Sequence, residues 1–174
     1  LNLGFYSPLS YVRDDKRSSY EAKYDITTSK GSIFKQIERE SSLIHLMRVN
    51  LLKRLESSVH SFRLTLEALL RQIDKLLDKI DVASRAEYFD EELEITDIDT
   101  DDTLLEDLLT GGKVKVLLQD MDLIRCKEDL MDDKRRLENL LAETNVIDES
   151  RDAKLQELKN LIQTKVENNL NKGN

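Results

Sequence analysis

The sequence predicts an all-α fold built on a long spine helix, with an antiparallel helical hairpin or a three-helix bundle completing it. Three observations predict this. Apolar residues recur at helical spacing over most of the chain. One proline and five glycines punctuate 174 residues, so little interrupts a helix. Charged residues make up 36% and aromatic residues 5%, a balance suited to long exposed helices rather than a thick globular core.

The spine is expected over residues 32–83. Its apolar positions are Ile44, Met47, Leu51, Leu55, Val59, Phe62, Leu66, Leu69, Ile73, Leu76 and Ile80. Their steps of three and four average about 3.6, the helical period. A hydroxyl at Ser29 or Ser32 would cap its first free N–H groups. At about 1.5 Å per residue such a rod is roughly 70 Å long. Its opposite face carries Lys35, Arg39, Lys53, Arg71, Lys75 and Lys79, interrupted by Leu46, Val49 and Leu64. The middle of the rod should therefore be wrapped on two sides.

Before the spine, residues 1–31 are the least regular part, with Gly4, Pro8 and Gly31. The alternation from Tyr20 to Ile26 predicts a short strand, and the whole segment reads as a tail without its packing partner or the edge of a neighbouring domain. After the spine, residues 84–114 form an acidic connector. Leu104, Leu105, Leu108 and Leu109 predict one short helix in it, ended by Gly111 and Gly112. Residues 115–174 should supply two more helices that complete one helical domain. The first is expected from about Lys115 to Ala142, where Leu123, Leu130 and Leu137 repeat at seven. Asp133 stands where such a repeat wants an apolar residue. The last helix, capped by Asp148 or Ser150, has the seam Leu155, Leu158, Ile162, Val166 and Leu170.

Function classes narrow mostly by exclusion. The net charge of −8 disfavours non-specific binding to nucleic acid or anionic membrane. No apolar run approaches the roughly 20 residues that span a bilayer. A single cysteine, Cys126, rules out an internal disulfide framework and points to a reducing, cytoplasmic setting. Cys126 lies on an apolar seam and reads as a core thiol. No phosphate-binding loop is present, and Gly111-Gly112-Lys113 lacks its other parts. His45 and His60 are too far apart for a metal pair. The Asp97-Ile98-Asp99-Thr100-Asp101 run has Asp102 where a calcium loop needs glycine, and Leu108 where it needs glutamate. Ser57 and Ser58 have no convincing base nearby. No catalytic residue, metal or cofactor is assigned to this chain. Lys35, Arg39, Arg71, Lys75 and Lys79 are the candidate DNA contacts, through phosphates rather than bases.

One stretch carries a resemblance. Met47-Arg48-Val49-Asn50-Leu51-Leu52-Lys53-Arg54-Leu55-Glu56-Ser57-Ser58, continuing through Phe62 to Thr65-Leu66, resembles a helix of bacterial SWI/SNF-type helicases that lies between two RecA-like ATPase lobes. Asp152-Ala153-Lys154-Leu155-Gln156-Glu157-Leu158 is similar to the helix that precedes the second lobe's first strand in that family. The match covers about twenty residues strongly and the second stretch moderately. The family's phosphate loop, Asp-Glu strand and second-lobe arginines have no counterpart here.

The resemblance implies a non-catalytic segment that braces or couples the lobes of an ATP-dependent DNA translocase. Lys53, Arg54, Glu56, Ser57 and Ser58 would dock the lobes. ATP and Mg would belong to the parent, and duplex DNA would be met through it. The abrupt start at Leu1, without an initiator Met, fits an excised fragment. A free-standing helical interaction module, with self-association through exposed seams, is the alternative reading.

Overall fold

The structure is a computed structural model that describes residues 1–27, 31, 33–85, 92–94, 114–147 and 153–167. The chain is all-α. The helices described are α1 (Asp14–Tyr24), α2 (Gln36–Ser57), α3 (Val59–Ala83), α4 (Leu123–Asn145) and α5 (Ala153–Glu167). Two short antiparallel pairings accompany them. β1 (Ile26–Thr27) meets β2 (Ile33–Phe34), with Ile26 opposite Phe34. β3 (Glu92–Glu94) meets β4 (Lys115–Leu117), with Leu93 opposite Val116.

The spine is two helices, not one. It starts at Gln36, where Asp25 Oδ1 accepts the first amide at 2.9 Å; the caps expected at Ser29 or Ser32 lie outside the described residues. It breaks at Ser58, whose φ of −163° and ψ of 129° are extended. The residue replaces part of what the break costs. Its N–H still donates to the Arg54 carbonyl, its carbonyl still accepts the Phe62 N–H, and its hydroxyl accepts the Ser61 N–H at 3.4 Å. The apolar period runs through the break because both helices face one core, with Leu43, Met47 and Leu51 from α2 and Phe62, Leu66, Leu69 and Ile73 from α3. One non-helical residue leaves no mark on such a period.

α3 and α4 run antiparallel. Asp81 pairs with Lys127, Asp74 with Lys134, and the Arg63 guanidinium reaches the Ile147 carbonyl, so one chain index falls as the other rises. Leu66, Leu69, Ile73 and Ile80 face Cys126, Leu130 and Leu137 across this contact. Burial of each such side chain contributes about 2 kcal/mol.

Residues 1–27 are not an unpacked tail. Leu3, Phe5, Tyr6, Leu9, Tyr11 and Val12 are core residues. Two 3₁₀ turns, Gly4–Tyr6 and Pro8–Tyr11, fold them into a strap that contacts α2 and α4. At Gly4 the Tyr11 hydroxyl occupies the space a Cβ would need, so no other residue fits without displacing that ring. The expected strand at Tyr20–Ile26 is instead the end of α1 as far as Tyr24, followed by extended Asp25 and the two-residue strand Ile26–Thr27. Tyr20 and Tyr24, one helical turn apart, face β4. The Tyr20 hydroxyl accepts the Leu117 N–H and donates to Asp120, while Tyr24 bonds both the N–H and the carbonyl of Lys115.

The helix expected from Lys115 begins eight residues later. Val114, Val116 and Leu118 are buried at every second position, which is a strand's pattern, and Asp122 then caps α4 by accepting the Arg125 N–H at 3.1 Å. The last helix does not complete a bundle among the described residues. Leu158, Ile162 and Val166, its expected seam, are exposed. The expected connector helix, the Asp97–Asp102 run, Gly111–Gly112 and the caps at Asp148 or Ser150 lie outside the described residues.

Candidate docking surface

The motif that carries the resemblance straddles the α2–α3 break, and its leucines divide into two sets. Leu51, Phe62 and Leu66 point into the core. Leu52, Leu55 and Leu64 do not, being 62%, 38% and 52% exposed. Leu55 was expected on the buried seam. The helix ends two residues beyond it, so α2 leaves the core one turn before the break. Leu64 was expected to be wrapped and is not, whereas Leu46 and Val49 are half-buried.

Polar groups surround these leucines. Lys53, Glu56 and Ser57 are exposed, and Arg54 and Ser58 are half-buried. Ser58 spends its hydroxyl on the cap of α3. The five residues thus share one short stretch at the joint, beside three outward leucines. An exposed apolar group rimmed by charge is the ordinary chemistry of a protein contact.

The basic residues are not gathered in the same way. Lys35, at the N-cap of α2, and Arg39 lie on one helix, and Arg71, Lys75 and Lys79 lie on the other, so the break divides the stripe. Arg71 faces Glu67 at 4.0 Å, and Asp74 and Asp78 alternate with the lysines of α3. Alternating charge of this kind gives no continuous positive track for phosphates. His45 and His60 are both exposed.

Two buried carboxylates are the groups least visible beforehand. Asp133 on α4 is closed to solvent and accepts the amides of Asn2, Leu3 and Gly4 from the strap. Glu40 on α2 accepts the Ser7 hydroxyl and the Leu9 amide. Burial pushes its pKa up to about 8 against the opposing effect of those two donors. The signal for Asp133 was its place in a leucine repeat. The signal for Glu40 was its position three residues before Leu43 and seven before Met47, on the same face. Both carboxylates serve backbone N–H groups of the chain itself. Among the described residues no group of three His, Cys, Asp or Glu side chains could hold a metal ion.

Compared with protein-family models, curated proteins and solved structures, the chain matches none of them.

Proposed function

We propose that this chain is a non-catalytic helical segment of an ATP-dependent SWI/SNF-type DNA translocase, bracing or coupling the RecA-like lobes of the same parent. The observation that carries the reading is the exposure of Leu52, Leu55 and Leu64 within the stretch that resembles the family. A motif whose leucines served only the local core would bury them all. Here three of the five, Leu52, Leu55 and Leu64, face outward beside Lys53, Arg54, Glu56, Ser57 and Ser58, the residues assigned to lobe docking. ATP and Mg belong to the lobes, duplex DNA is met through the parent, and the setting is cytoplasmic. No helix of the described residues is long and apolar enough to cross a membrane.

The exposed seam of α5 favours a second reading, a free-standing helical module that binds a partner or itself. The gene separates the two. A Gly-Lys-Thr phosphate loop upstream and a Val/Ile-rich strand directly downstream support the translocase segment. Stop codons at both ends overturn it and leave the module. ATP turnover by the purified chain, lost on changing one of its residues, contradicts both.

A further inference from the structure

The two carboxylates that hold the strap are served unequally. Asp133 has backbone amides on both oxygens. Glu40 is 2% exposed and has its donors, the Ser7 hydroxyl at 3.0 Å and the Leu9 amide at 3.2 Å, on Oε2 alone. Its Oε1 is buried with no hydrogen-bond partner among the described residues.

The charged groups of the adjoining elements are turned to other tasks. Asp133 binds Asn2 to Gly4 and Asp129 takes the Tyr11 hydroxyl, both on α4. On α1, Arg17 pairs with Asp14, and just beyond it Asp25 caps α2. Arg17, Glu21, Asp25 and Lys35 line a small cleft beside Leu9 and Ile37. On α2 itself Glu38 and Arg39 flank Glu40 in sequence. Burial raises the Glu40 pKa and outweighs the two neutral donors, Ser7 and Leu9, which lower it. Tyr6, a buried phenol of the strap, is itself pushed upward by burial and stays neutral. A carboxyl so placed is stable as the neutral acid and costly as the anion.

We propose that Glu40 is a proton-operated latch on the strap: residues 1–12 stay seated against α2 and α4 while its carboxyl is protonated, and loosen when it ionises. The proton leaves to water, and the anion then draws water to the oxygen that lacks a donor. The direction follows from linkage. Folded Glu40 keeps its proton up to about 8, while the unfolded chain releases it in the ordinary carboxylate range. The folded state therefore binds more protons between those two limits, and stability falls as pH rises across the window. The contribution is fully present below the unfolded value and gone above the folded one.

The test measures amide hydrogen exchange of Leu9 and Val12, corrected for intrinsic pH dependence. From pH 6.5 to 9 their protection should fall by about tenfold or more. Glu40→Gln should abolish the fall. The same fall in Glu40→Gln, or no fall in the unchanged chain, overturns the latch. Should Glu40→Gln not fold, a carbon-13 titration of the Glu40 carboxyl in the unchanged chain decides. A midpoint near 8 supports the latch and one in the ordinary carboxylate range sinks it. Ser7→Ala, which removes a donor that favours the anion, should move that midpoint upward, and a downward move also counts against it.

Discussion

The carboxylate of Asp133 on α4 and the amide of Leu3 in the strap are hydrogen-bonded across 130 residues of chain, in a site closed to solvent. The contact explains an anomaly. Asp133 interrupts a repeat of leucines, where a coiled coil would place an apolar side chain. The helix faces a folded peptide there instead, and that peptide presents successive N–H groups that need an acceptor.

Replacing Asp133 should therefore be costly in a diagnostic way. Asp133→Ala leaves buried amides without an acceptor and should lower stability by about 3 kcal/mol. Asp133→Leu, which restores the repeat, should not rescue it. Urea unfolding of both variants checks this, and a Leu variant as stable as the parent chain would return Asp133 to a coiled-coil role.

Ser58 offers a test by sign. In a continuous helix Ser58→Ala would stabilise by a few tenths of a kcal/mol, because alanine is the better helix former. At a break it removes the acceptor for the Ser61 N–H and should cost about 1 kcal/mol. Thermal melts of the two proteins give the direction directly.

Cys126 is buried at the α3–α4 contact, and burial together with Asp129 and Asp122 pushes its thiol up to about 12. Only the thiolate attacks an alkylating agent. Iodoacetamide at pH 8 should leave the native chain unmodified and label it readily in denaturant. Labelling of the native chain as fast as that of a free thiol would contradict the burial.

The outward leucines should separate stability from docking. Leu52→Asp and Leu64→Asp replace exposed groups and should change stability by no more than about 0.5 kcal/mol. Leu51→Asp, at a core position, should unfold the chain. Under the function proposed above, with the ATPase lobes of the proposed parent supplied in trans, the two surface variants should bind about tenfold more weakly, a loss of about 1.4 kcal/mol. Unchanged lobe binding in a titration would remove these leucines from the docking surface.

Much of this architecture was legible in the residues. The seams of α2 and α3 are legible at Met47, Leu51, Phe62, Leu66, Leu69, Ile73 and Ile80, because burial on a helix repeats every three or four residues. The motif residues Lys53 to Ser58 were equally visible, but which neighbouring leucines turn outward was not. That depends on where α2 ends.

By itself the sequence determined the all-α class and the faces that could form a core, since both follow from hydrogen bonding and burial within a few turns. Only the tertiary structure decided that Ser58 is extended, that Leu3 to Val12 belong to the core, and that Glu40 and Asp133 hold them. The last two of those outcomes rest on contacts between parts of the chain far apart in sequence, such as Ser7 with Glu40 and Leu3 with Asp133. A local period carries no information about them. A polar residue on a buried face is their only trace in the sequence, and the identity of its partner is set by packing.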